Sequence, residues 1–262
     1  MTTLVMRRAF ADRRRSLIGY GIGLGLMIVW VMAIYPSVES ALADYMEAMP
    51  EVMKQMFGVE DITNLAGFVN AEIFSAVGPI VLIAVGITFG AGTLAGEEHD
   101  RTLQLVLSLP VRRSRVVLAK LGAMLLDLMA LGLFTALSLL VGVAVAGGGV
   151  ATGNVLAASA QLTALGWLFG TLALAVGAVT GRKGWASAGP AGLALVTYLL
   201  YVMAPMTDVL EPFRGLSPFE WYVGNNPLEH GLDVGGLALL IGFSAVFAAI
   251  AVVGFERRDV GV

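Results

Sequence analysis

Cysteine is absent from the 262 residues, so disulfides, thiol nucleophiles and thiolate metal sites are all excluded. Charge is scarce at 13%. Histidine occurs only as His99 and His230, too far apart for a metal-binding pair by spacing. There is no G-x-S-x-G elbow, no H-E-x-x-H helix and no G-x-x-x-x-G-K-[ST] phosphate loop. A chain without that loop is not expected to bind and hydrolyse ATP. Alternation of apolar and polar residues over ten positions, the mark of a membrane barrel, is also missing.

What is present is hydrophobicity, at 58% of residues and a mean hydropathy of +0.84. Apolar runs fall at about 17–36, 71–95, 116–146, 155–180, 185–204 and 234–255. Each approaches or exceeds the roughly 20 residues that cross a bilayer core. Helices satisfy their own backbone in lipid, so the expected fold is all-α, with six transmembrane helices. Gly189-Pro190 interrupts the fifth run. The third, if helical throughout, is about 46 Å long against about 30 Å of hydrocarbon. Its first turns are therefore expected at the membrane surface. The whole chain, 1–262, reads as one transmembrane domain.

Charge placement orients the bundle. Arg7, Arg8, Arg13, Arg14 and Arg15 precede the first run. Arg101, Arg112, Arg113, Arg115 and Lys120 lie between the second and third, Arg182 and Lys183 between the fourth and fifth, and Arg257 and Arg258 after the sixth. Six alternating spans put all of these on one side, leaving Lys54 and Arg214 with acids such as Glu47, Glu51 and Glu220 on the other. The positive-inside rule then predicts a multi-pass cell-membrane protein with both termini cytoplasmic. Arg7-Arg8-Ala9-Phe10 and Ala41-Leu42-Ala43 have the look of a twin-arginine signal and its cleavage site. Five further spans follow, however, so an uncut first span is expected, preceded by an interfacial segment at 1–16.

Between the spans, Met46, Met49, Val52, Met53, Met56 and Phe57 recur at helical spacing and predict a short helix or two over the outer mouth. The outer loop from Pro205 to Asp233 carries Trp221 and Tyr222, which fit an interfacial aromatic belt. Gly19, Gly21, Gly23 and Gly25 read as a small-residue stripe. Gly86/Gly90, Gly92/Gly96, Gly166/Gly170 and Gly177/Gly181 are GxxxG pairs. These serve packing within the subunit or a dimer seam. Pro79 and Pro190 are expected to kink their helices. Asp127 is the one acid within an apolar run; it reads as an intramembrane polar site, or as a boundary residue approached by Lys120 from two turns earlier.

The densest charge lies in 96–115, which cannot enter lipid. Glu97, Glu98, Asp100 and Arg101 crowd its first turn, and Leu103, Val106, Leu107 and Pro110 share one face. The pattern is that of a short amphipathic cytoplasmic helix, against which another protein can push. From Glu97 to Arg113 the residues EEHDRTLQLVLSLPVRR resemble E-E-x-x-G-T-L-x-x-L-L-x-x-P-V-S-R, the signature of permease subunits of type-2 ABC exporters. Lys120 matches a lysine that follows it. Arg101 and Arg112 stand where the signature has glycine and serine. Likeness extends to the basic N-terminal segment, the Pro50-Glu51 pair in the outer loop and the six spans.

The resemblance implies a non-catalytic half-transporter. Two permease subunits, identical or different, would work with two cytoplasmic ABC ATPases, and ATP and magnesium would sit on the ATPases. Glu97, Glu98, Arg101, Leu103, Leu107, Pro110 and Arg113 would form the coupling region. Glu97 and Glu98 would meet basic residues of the ATPase or brace neighbouring helices. Polar groups within the spans are few, chiefly Thr88, Thr93, Thr135, Ser138, Thr163 and Thr171, which favours a drug-like, antibiotic or lipid-like cargo. Membrane lipids are expected partners and nucleic acid is not. The rivals are an ion- or proton-coupled transporter using Asp127, and an anchoring or regulatory subunit.

Overall fold

The computed structural model describes residues 16–37, 50, 64–104 and 112–258. Six helices long and apolar enough to cross a membrane run through them: α1 (Ser16–Ser37), α2 (Leu65–His99), α3 (Arg113–Val145), α4 (Thr152–Thr180), α5 (Lys183–Met206) and a last one, Val234–Arg257. Two short helices, α6 (Pro218–Val223) and α7 (Pro227–His230), precede that last span, hereafter α8. No strand occurs among the described residues. The expected N-terminal interfacial segment, the helices around Met46–Phe57, and the coupling residues Leu107 and Pro110 lie outside them.

The ends are set by local chemistry. Asn64 accepts from the Gly67 amide at 2.7 Å and starts α2. Asp233 accepts from the Gly236 amide at 3.0 Å and starts α8. Between α3 and α4, Gly147, Gly148 and Gly149 all have positive φ (93°, 94° and 110°), which only glycine takes freely, so the chain reverses in a few residues. Pro190 sits inside α5 without ending it.

The centre of the bundle is α4, which packs on α2, α3, α5 and α8. Its most apolar stretch is 72% buried inside the protein, against 17% for α5. Two GxxxG pairs meet where α2 crosses α4. A Cβ on Gly86 would strike the Gly166 carbonyl, and one on Gly90 the Gly170 carbonyl. The small residues therefore let two backbones touch within this subunit. The glycines of α1 do not form one stripe. Residues two apart on a helix point about 200° apart, so Gly21 and Gly25 face Phe134 while Gly19 and Gly23 face open space.

Two π turns interrupt α2, at Asn70–Val77 and Gly92–Gly96. The first has a clear cause and consequence. The Gly78 amide bonds to the Ile73 carbonyl, five residues back. The next donor in that register would come from Pro79, which has no N–H. The Phe74 carbonyl is thereby left without a helical partner, and the Tyr222 hydroxyl donates to it at 3.0 Å.

That bond reveals what the connection from α5 to α8 does. Its aromatics do not all sit in an interfacial belt. Tyr222 and Phe219 are buried, and the Phe219 ring lies 5.2 Å from Tyr198 and 6.4 Å from Phe169. Trp221 stays half-exposed, stacked on Phe243 at 5.1 Å, and Phe213 is exposed. The connection thus dips into the bundle as the short helix α6. Irregular backbone at this depth persists only where protein satisfies its polar groups. Gln161, buried in the third turn of α4, does so. Its amide donates to the Tyr222 and Trp221 carbonyls at 3.0 and 3.4 Å, and its oxygen accepts from the Asp233 amide at 3.3 Å. At the rim, Asn154 donates to the Leu228 and Glu229 carbonyls, both at 2.9 Å.

Candidate functional site

The richest chemistry gathers at the end of the bundle where the basic residues lie. Here α2 finishes in a closed turn. The Thr102 amide bonds to the Glu97 carbonyl at 2.8 Å and the Arg101 amide to the Glu98 carbonyl at 3.1 Å. Those are the two hydrogen bonds of a Schellman cap, whose next residue past the helix adopts left-handed backbone. Arg101 fills that position with φ +57°. Glycine would sit there without strain, and the signature's glycine falls on this residue. Arg101→Gly is therefore expected to stabilise the protein by about 1 kcal/mol, read as a higher midpoint of thermal unfolding in detergent.

The turn presents Glu97 and Glu98 to two other helices. Glu97 Oε1 pairs with Lys120 Nζ of α3 at 2.5 Å, and Lys120 also lies 3.5 Å from the Thr93 carbonyl in the second π turn. Glu98 pairs with Arg258, just past α8, and the same guanidinium donates to the Gly177 carbonyl of α4 at 3.2 Å. Arg113, at the start of α3, donates to the Arg258 carbonyl at 2.6 Å and stands 5.9 Å over the Phe255 ring. Cations thus sit on carbonyls at the ends of α4 and α8, where the helix dipole favours them. The described ends of α2, α3, α4 and α8 are bound into one cluster.

Exposed ion pairs contribute little singly, about 0–1 kcal/mol. These are partly shielded, with side-chain exposures from 16% to 32%, and they share partners. Their chief effect is positional: they join the Glu97–Glu98 turn to α3 and to the end of α8.

The remaining expected residues are placed as follows. Leu103 is buried in the chain's own core, so its side chain is not on offer to a partner. Arg101 is exposed beside the cluster. Lys120 is committed to Glu97 rather than to Asp127, which lies seven residues farther along α3 and is half-buried. Arg258, Phe255 and Gly177 belong to the cluster but carry no local pattern that marks them. An open hollow of about 650 Å³ adjoins it, lined by Glu98, His99 and the α4–α5 turn from Gly181 to Gly184. No group of three or more metal-ligating side chains occurs among the described residues.

Six helices long and apolar enough to cross a membrane, tied at one end by an ion-paired cluster, fit a multi-pass membrane protein. The chain is matched over residues 4–260 by the model of the ABC-2 family transporter proteins, and it belongs to that family. It is accordingly a membrane permease component of an ABC transporter, and membership implies association with an ABC ATPase subunit. No curated protein matches the chain closely enough to count as a relative.

Proposed function

We propose that this chain is the permease subunit of an ATP-driven exporter in the cell membrane, with both termini and the Glu97–Glu98 turn in the cytoplasm. Two permease subunits, alike or different, are worked by two ATPases that carry the ATP and magnesium. The single observation that carries the reading is the cluster itself. A partner that moves the turn after α2 pulls on α3 through Lys120 and on α8 through Arg258.

The cargo in this reading is hydrophobic or amphipathic. Thr93, Thr135, Thr163 and Thr171 all donate their hydroxyls to carbonyls of their own helices. Those four donors are spent within the helices and are not available to a polar cargo such as a sugar. Family membership favours an ATPase-driven permease over a stand-alone ion-coupled transporter using Asp127.

Glu97→Lys with Glu98→Lys places like charges against Lys120 and Arg258. The expected result is loss of cargo-stimulated ATP hydrolysis in vesicles holding permease and ATPase. The swap Glu98→Arg with Arg258→Glu keeps an internal pair and separates folding from coupling. It is expected to restore thermal stability and most of the stimulation. Unchanged stimulation in the double reversal would show these acids to be solvated charge only. Capture of the native permease from membranes, with no phosphate-loop protein retained, would remove the reading altogether.

A further inference from the structure

We propose that the hollow between the end of α2 and the α4–α5 turn binds the phosphate headgroup of an anionic phospholipid. The site does not depend on the transport reading; it needs only that this end of the bundle meets a membrane surface.

Charge is the first argument. Among the described residues the only carboxylate lining the hollow is Glu98, and Arg258 pairs with it. Arg182 and Lys183 remain, both exposed, with no ion pair to any described residue. Among the described residues the lining therefore carries two cations without a counter-ion, whereas Arg113, Lys120 and Arg258 of the adjoining cluster are engaged. Basic hollows between membrane helices suit anionic headgroups.

Shape is the second. The hollow's wall includes Gly181 and Gly184, and a Cβ on Gly184 would meet nothing within 4 Å. Gly181 is covered by the Arg258 guanidinium, so among the described residues the open approach for a bulky phosphate lies beside Gly184. Ser187, one turn into α5, adds a hydroxyl to the wall.

Position is the third. Trp185 is 63% exposed beside the two cations, and an exposed tryptophan at a span end marks the headgroup level. Beyond it, Ala188 and Gly192 follow Gly184 at four-residue steps, all three exposed. They leave a shallow trough down α5 that an acyl chain fits. A free phosphate ion would use the cations but not the trough.

The test is native mass spectrometry of the delipidated full chain, titrated separately with dioleoyl phosphatidylglycerol and dioleoyl phosphatidylcholine. Wild type is expected to retain phosphatidylglycerol preferentially. Arg182→Gln with Lys183→Gln is expected to weaken it about twenty-five-fold, roughly fivefold for each cation removed. Arg257→Gln, which removes an exposed cation at the same end but outside the hollow, is expected to leave binding unchanged. Excess inorganic phosphate is expected not to displace the lipid. The proposal fails if wild type shows no preference, or if Arg257→Gln costs as much as the double variant. It also fails if inorganic phosphate competes fully. Finally, it fails if the double variant keeps its lipid but no longer captures an ATPase, since the hollow would then belong to a protein partner.

Discussion

Gly86→Ala and Gly90→Ala are each expected to destabilise the protein by about 1–3 kcal/mol, the usual cost of overpacking a tight contact. The added methyl has no room to move into. At both positions it meets a carbonyl of α4, which is held by its own helix. The helices must separate, and α4 touches almost every other span. Combining Gly86→Ala with Gly166→Ala, on opposite sides of one crossing, should give a non-additive loss. The measurement is thermal unfolding in detergent, followed by helical circular dichroism. Gly189→Ala is the control: a Cβ there meets nothing within 4 Å. It is expected to be neutral or to stabilise by about 0.5–1 kcal/mol, because alanine is the better helix former. If Gly86→Ala and Gly189→Ala behaved alike, the close crossing would be wrong.

The second large effect is expected at Gln161→Leu. Leucine fills similar space but takes the partner from the buried Tyr222 carbonyl and from the part-buried Trp221 carbonyl and Asp233 amide of the dipping segment. Each buried group left without a partner costs about 1–3 kcal/mol. Withdrawal of α6 from the bundle relieves this, so limited proteolysis is expected to cut between Ala204 and Asp233 faster than in wild type. Tyr222→Phe tests the same segment more gently. It removes one hydrogen bond, to the Phe74 carbonyl, and is expected to cost about 1 kcal/mol. Equal proteolysis of wild type and Gln161→Leu would mean that the segment is held by its apolar contacts alone.

The six spans were legible because length and hydropathy act on each helix separately. The expected runs and the observed helices differ mainly at their ends; α2, for instance, extends from the expected 71–95 to Leu65–His99. The dipping segment was not legible. A six-residue helix has too few turns to show a period, and its aromatics suit a headgroup belt equally well. Gln161, a lone amide in an apolar run, is the one local signal in the sequence for this segment. Of the two π turns, only the one beside Pro79 had a cause visible in the chain.

For the site, the signature located the turn; that its glycine position takes left-handed backbone at Arg101 is visible only in the structure. The partners of Glu97 and Glu98 were hidden by distance in sequence. Arg258 lies 160 residues from Glu98 and was read only as a marker of sidedness. Leu103 was read as partner-facing because helical spacing cannot tell an inward face from a docking face.

The central place of α4 bears on how the protein is made. Spans enter the bilayer in order, and the first three arrive before the helix that their inner faces fit. A ribosome paused near Gly149 would leave Gly86 and Gly90 lining a slot filled only by lipid. Assembly of this subunit therefore waits on its fourth segment, and a truncated product should be a ready target for membrane proteases.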